Sequence, residues 1–395
     1  MDQGQRVAVW SAAPAIDWLL REGRLIQDSV RLVDALASQL LDAGAPLWRM
    51  RLGFFTNHPQ LAAWAHIWTR GQPTRIERIP HGVQRTGAYI GSPAQKMVES
   101  GGAVRYRLDD LSPSDHPVLH ELAAAGGRDY LLLPLQFSDG SRNVLALATD
   151  EARGFTGRDL ENFEILSHPL AAVLEVAATH RAAEILLDTY VGHRTGQRIL
   201  NGQIHRGDAD TIQAAIWYAD LRDFSRLSES LPAPRVLEML NAYFETVAAA
   251  AAAHGGEILR FVGDAMLIVF PADAERDLDR ACNAAADAAR QAFSEVAALN
   301  GRRLQAGAPE IRFGVGLSAG EVVYGNVGAP DRLDFTVIGP IVNLAARLET
   351  ATKDLGVSLL MTAAVAHRLD RPVRSLGSHR MRGVEDPVEV FALAL

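Results

Sequence analysis

Between residues 256 and 271 the chain reads GEILRFVGDAMLIVFP, two apolar runs with only Gly263 and Asp264 between them. So short a connection, with glycine in it, predicts a tight antiparallel hairpin carrying Asp264 at its tip. Long helices flank the hairpin. PRVLEMLNAYFETVAAAAAAHGG precedes it and stops at Gly255-Gly256, and an Ala-rich helix from about Leu278 to Leu299 follows. AAIWYADL, IRFGVGLSAGEVVYGNVG and LDFTVIG read as strands, and PIVNLAARLETATKD as a helix. Strand candidates near HRMRG and PVEVFAL close the chain. These elements mark a second domain, 211–395.

The first half has its own pattern. Residues 15 to 45 are helical by the spacing of Leu25, Val30, Val33, Leu36 and Leu40. Strand-like LWRMRLGFF, AHIWTR and TRIERIP come next, then a helix at PAQKMVESG, a strand at AVRYRL and a helix at HPVLHELAAAGG. DYLLLPLQF and RNVLALATD form a hairpin around Asp139-Gly140. Thr156 then caps a helix, with Asp159 at capping-box distance. This order resembles a GAF domain over roughly residues 15–175; another α+β sensor fold is the alternative. The expected organisation is a regulatory domain at 1–158, a helical coiled-coil linker at 159–210 and the second domain at 211–395. Phe163, Leu166, Leu170, Val173 and Ala177 carry the coiled-coil spacing, Pro169 interrupts it, and Gly192 and Gly196 break it further on. Such a linker either transmits motion or is a passive tether.

Composition narrows the function classes. Of 395 residues, 48% are hydrophobic and 22% charged, as in globular chains. The net charge of −8 argues against coating nucleic acid or an anionic membrane, so neither is an expected partner. No basic start leads into an apolar run, and no stretch reaches the roughly 20 apolar residues of a membrane span. The expected location is the cytoplasm. The single cysteine, Cys282, lies in an Ala-rich helix and reads as core.

Three fragments carry chemistry together: WYADLRDFS, RFVGDAML and TVIGPIVNLAAR. Asp220 ends an apolar strand and Asp264 tips a hairpin. Two carboxylates brought together from strand ends make a hard-oxygen site suited to Mg²⁺. Asn343 and Arg347 sit at i and i+4, so an amide and a guanidinium share one helix face, a pairing suited to ribose and phosphoryl groups. Backbone N–H groups where the chain enters the helix after Asp220, at Phe224 and Ser225, could hold phosphate oxygens. Each fragment alone is weak; their order is specific.

In that order they resemble the catalytic domain of class III adenylyl and guanylyl cyclases, from about residue 212 to the end. The resemblance implies a ferredoxin-like α+β core and a homodimer, formed through the cyclase domain and linker, with two sites at its interface. It also implies attack of the ribose 3′-oxygen of ATP on the α-phosphorus, with pyrophosphate leaving. Asp220, Asp264 and the Leu221 carbonyl would bind two Mg²⁺ (or Mn²⁺) ions per site. Asn343 would orient the ribose and Arg347 would stabilise charge on the α-phosphate. Arg382 stands where the family has a phosphate-gripping lysine, with Arg332 as a further phosphate contact. One site would draw its metal residues from one subunit and its transition-state residues from the other.

Two positions depart from the family. Its adenine-reading lysine, four residues before the second aspartate, is here Arg260. The usual partner, aspartate or threonine, is here Thr336, as in the subgroup associated with bicarbonate response. Guanylyl cyclases place a glutamate at the lysine position, and arginine cannot accept a hydrogen bond. ATP is therefore favoured, although an arginine can also fork onto guanine O6 and N7. A solvated Arg260 with no base contact is the third possibility. The other departure is Asp223, where a small residue is usual; a carboxylate there repels a triphosphate unless it turns away or meets metal.

The first half is expected to sense a small molecule whose identity is not legible. It has no cysteine, which excludes a thioether-linked bilin. His58, His66 and His81 read as surface or core histidines rather than haem ligands. Trp48, Trp64 and Trp68 read as core, with a pocket lining as the alternative. A diguanylate cyclase is disfavoured because AHGGEILR lacks the acidic pair and phenylalanine of that signature. A nucleotide-binding pseudo-cyclase remains the rival of another class.

Overall fold

The structure, a computed structural model, describes residues 10–55, 61–272 and 277–393, and His58 lies outside them. The chain forms two compact units, Met1–Leu186 and Leu187–Leu395.

The N-terminal unit contains α1 (Ala13–Arg21), α2 (Ser29–Asp42), β1 (Arg49–Phe55), β2 (Leu61–Thr69), β3 (Gln72–Pro80), α3 (Pro93–Ser100), β4 (Val104–Arg107), α4 (Pro117–Ala124), β5 (Asp129–Gln136), β6 (Arg142–Thr149) and most of α5 (Gly157–Val191). Its sheet runs β3-β2-β1-β6-β5-β4, and the paired strands are antiparallel. One face packs Met50, Leu52, Leu145 and Leu147 against α2 and α5. The other packs Tyr130, Leu132 and Ala146 against Met97 of α3 and Leu119 of α4. The expected capping box starts α5: Thr156 N donates to Asp159 Oδ2 at 2.7 Å, and Asp159 N donates to Thr156 Oγ1 at 3.3 Å.

The coiled-coil expectation needs correction over the first turns of α5. Phe163, Leu166 and Leu170 are wholly buried in their own unit's core, because that helix closes one face of the sheet. Beyond Leu174 the helix surfaces, with Val176 at 72% and Tyr190 at 79% exposure. The assigned helix continues through Pro169. Trp68 is core, and Trp48 and Trp64 pack against core clusters. His66 is buried with Nε2 2.8 Å from Ser29 Oγ, and burial holds its pKa below the usual histidine value.

The C-terminal unit continues through α6 (His193–Leu200), β7 (Ala209–Leu221), α7 (Phe224–Ser230), α8 (Ala233–Ala253), β8 (Glu257–Val262), β9 (Ala265–Pro271), α9 (Leu278–Gln305), β10 (Phe313–Ala329), β11 (Arg332–Ile338), α10 (Pro340–Asp354), β12 (Leu359–Thr362), α11 (Ala363–Ala366), β13 (Val373–His379) and β14 (Val388–Leu393). The sheet order is β13-β14-β12-β10-β7-β9-β8, and β11 folds back onto β10. The central strands are buried on both faces, which is why β7 and β9 read as continuous apolar runs. Ala215, Trp217, Ala219 and Leu221 pack with residues of α8 and α9, whereas Ala214 and Ile216 share a cluster with Ala345 of α10. Cys282 is buried in α9, its thiol pushed up to about 12 by burial. Among the described residues no helix is long and apolar enough to cross a membrane.

Candidate active site

Alternation along β7 puts Asp220 on the α10 side of the sheet, with Ile216 and Tyr218. Its ladder partner is Gly314 of β10. One strand away, β8 and β9 meet in the expected hairpin: Val262 pairs with Ala265, and Gly263 takes φ +65°, which a glycine adopts freely. The turn carries Asp264 back to Asp220, within hydrogen-bonding reach. Burial and then the Asp220 charge raise the Asp264 carboxyl to about 6. Leu221 has its side chain in the core.

Crowded, half-buried carboxylates fit a divalent cation, which would relieve their repulsion. Among the described residues no group of three or more His, Cys, Asp or Glu could hold a metal. The carboxylate donors here are therefore this pair, a set that suits Mg²⁺ or Mn²⁺ when phosphates and water complete the shell.

Helix α10 lies on β10 because glycine lets it come close. A Cβ on Gly316 would stand 2.0 Å from the Ala345 carbonyl oxygen. From this helix Asn343 is exposed and Arg347 half-buried. A Cβ on Gly383 would sit 3.3 Å from an Arg347 guanidinium nitrogen, so Arg347 reaches the Arg382–Gly383 turn, where Arg382 is exposed. The structure thus brings Arg347 to the turn that bears Arg382.

The entry to α7 explains the Asp223 departure. Asp223 has φ +59°, the only positive φ of a described non-glycine residue, in the region where glycine is at ease. Its side chain points to Arg312, with Nη2–Oδ2 2.8 Å, so the carboxylate faces a cation there. Of the residues that follow, Phe224 packs against the α8/α9 core and Ser225 is exposed.

Arg260 on β8 forms an ion pair with Asp334 on β11. Thr336 is two residues further along β11, half-buried, and so on the same face as Asp334. Arg332, at the start of β11, is exposed. Arg260, Arg332 and Asp334 border a cavity of about 1060 Å³ that β8 and β11 form with residues 188–204. Asp220 and Asp264 are not in its lining. This cavity therefore lies beside Arg260, not at the carboxylate pair.

Residues 192–207 are held to this unit by polar contacts. Thr195 N and Oγ1 both donate to Glu257 Oε1, at 3.3 and 3.4 Å, and Tyr324 OH donates to Glu257 Oε2 at 3.0 Å. Arg198 pairs with Asp210 at 2.7 Å and lies over the Tyr324 and Phe335 rings.

Residues 208–394 match the family model of the adenylate and guanylate cyclase catalytic domain. Adenylate cyclase 1 of Rhizobium meliloti (strain 1021) is 33% identical over 178 residues, 44% of this chain and 26% of that protein. Adenylate cyclase of Anabaena cylindrica is 33% identical over 195 residues, 48% of this chain and 38% of that protein. The chain thus spans well under half the length of these curated relatives. A solved bacterial light-regulated adenylyl cyclase is 22% identical with TM-score 0.50, over 87% of this chain and 94% of that one, a likeness of fold.

Proposed function

We propose that this chain, whose residues 208–394 match the family model of the adenylate and guanylate cyclase catalytic domain, converts ATP to 3′,5′-cyclic AMP and pyrophosphate. The observation that carries the reading is the convergence of two half-buried carboxylates, Asp220 at the end of β7 and Asp264 in the β8–β9 turn. Bound at the carboxylate pair, two Mg²⁺ ions would supply Lewis-acid stabilisation of the triphosphate and favour loss of the 3′-hydroxyl proton. The chain's own groups do the rest. Asn343 orients the ribose so that its 3′-oxygen lies in line with the α-phosphorus. Arg347 meets the charge that grows on the α-phosphate oxygens, an interaction stronger in the transition state than in the bound substrate. Arg382 and Arg332 draw charge toward the departing pyrophosphate, and backbone N–H groups at Phe224 and Ser225 hold phosphate oxygens. The Leu221 carbonyl would be a further donor to such an ion.

Arg260 and Thr336 read the base. Asp334 already engages one terminal nitrogen of Arg260. The parallel two-nitrogen fork that would grip guanine O6 and N7 is thereby compromised, and a single donor to adenine N1 remains. GTP is the second reading, supported by the same guanidinium if the pair with Asp334 opens.

The active form is a homodimer, with each site built from the carboxylates of one subunit and α10 of the other. Phe261 and Val262 of β8, Val323 of β10 and Ile338 of β11 are 51%, 48%, 43% and 48% exposed, apolar surface of the kind that pairing would cover. The N-terminal unit, read as a GAF-like sensor of a small molecule in the cytoplasm, would act through residues 192–207, whose Thr195 and Arg198 grip β8, β10 and β11. Complementation tests the shared site: Asp264→Ala and Asn343→Ala chains, each inactive alone, regain activity when mixed. No recovery in verified heterodimers would overturn the shared-site reading.

A further inference from the structure

One buried charge near the carboxylates has no part in that mechanism. Glu349 of α10 is 2% exposed, two residues beyond Arg347. A glutamate is almost never fully buried unless it is paired. Here Arg222, the second residue after Asp220, reaches under the helix. Its Nη1 lies 3.4 Å from Glu349 Oε1, and its Nη2 donates to Thr352 Oγ1, itself buried. The Thr352 hydroxyl in turn donates to the Glu349 carbonyl. The backbone on the other side of Arg222 is also fixed, because its N–H donates to the Arg312 carbonyl at 2.7 Å.

The space for this contact is set by β10. A Cβ on Gly314, the residue opposite Asp220, would stand 2.3 Å from Arg222 Nη2 and 2.7 Å from Glu349 Oε1. Any side chain there would evict the pair. Burial first and then the Asp220 charge push the Glu349 carboxyl up to about 7, while Arg222 and Lys353 pull it back. Lys353 also lowers Asp264. The end of α10 beyond Arg347 is thus electrostatically part of the carboxylate site.

We infer that Glu349 is a positioning residue: with Arg222 and Thr352 it straps the loop after Asp220 to α10, so that the carboxylates and the Asn343/Arg347 helix keep one fixed relation. The inference rests on the proposed cyclase reading for its meaning. In a dimer whose sites each take carboxylates from one subunit and α10 from the other, the strap ties the metal side of one site to the transition-state side of its twin. A change in one site then has a short, buried route to the other.

The test compares the full chain with the double variant Arg222→Met/Glu349→Leu, which replaces the pair by apolar groups of similar volume. Such exchanges are often neutral or stabilising for a purely structural ion pair. Two readouts follow: Mn²⁺ affinity by electron paramagnetic resonance with 3′-deoxy-ATP, which has no attacking hydroxyl, and kcat and KM with ATP. The strap predicts a folded double variant whose Mn²⁺ affinity and kcat each fall about tenfold, the scale of lost support behind metal ligands. KM for ATP stays near the parent value because the base and phosphate contacts are untouched. A folded double variant with parental Mn²⁺ affinity and kcat would overturn the inference. If that variant does not fold, Glu349→Gln decides, since it keeps shape and an acceptor oxygen but not the charge; it is expected to move both readouts the same way, and parental values in it are equally fatal. Should the parent chain not turn over any nucleotide, the cyclase reading fails separately and the Mn²⁺ titration still judges the strap.

Discussion

Asp264→Asn should stabilise the metal-free protein while abolishing turnover. The folded chain holds the Asp264 carboxyl at about 6, against 3.8 for the free side chain, through burial and the nearby Asp220 charge. An acid whose pKa is raised on folding contributes stability that is complete below the unfolded value and is lost as pH rises through the folded one. The window is therefore pH 4 to 6, and at pH 8 the ionised group counts against the fold. About two units correspond to about 3 kcal/mol at 1.36 kcal/mol per unit. The side chain is only half-buried, and solvent screening reduces this to about 1 kcal/mol. Asparagine keeps the shape and the turn preference without the charge. In urea denaturation with chelator present, the variant should gain about 1 kcal/mol at pH 8, or about 2–4 °C in Tm. The gain should shrink through pH 6 and vanish by pH 4. A variant that is less stable at pH 8, or a gain that is the same at pH 4 and pH 8, would refute the crowding argument.

Two further substitutions probe the surroundings. Asp223→Gly relieves a left-handed backbone and should raise stability by about 1 kcal/mol, less the exposed Arg312 pair; a loss in chemical denaturation would contradict the strain reading. Asp334→Ala frees Arg260 and should raise kcat/KM for GTP relative to ATP by about fivefold to tenfold, about 1 kcal/mol of discrimination. An unchanged ratio would remove Asp334 from base choice.

Much of this fold follows from local and periodic signals in the sequence. The Gly263-Asp264 hairpin, the helix of Asn343 and Arg347, and the capping box at Thr156 each depend on residues close in sequence. What stayed hidden depends on register or on packing between distant segments. Phe163, Leu166 and Leu170 have the spacing of a dimer seam, and that spacing serves equally for a helix buried on its own sheet. The Arg260–Asp334 pair joins β8 to β11, and no pattern within either strand predicts it. One signal was legible: Asp334 shares the strand face of Thr336, two residues away. Asp223 looked like a hazard to phosphate until Arg312 appeared beside it. Glu349 lies on the buried stripe of α10 with Ala345, Leu348 and Thr352; what no local pattern gives is its partner Arg222, for which Gly314 leaves the room.

The most direct test of the central claim is turnover of the purified chain with ATP and with GTP, each with Mg²⁺ and with Mn²⁺, reading cyclic nucleotide and pyrophosphate together. The account predicts cyclic AMP and pyrophosphate in equal amounts from ATP, with less product from GTP. No cyclic nucleotide from either substrate with either metal, from folded protein that binds Mn²⁺ and nucleotide, would contradict it.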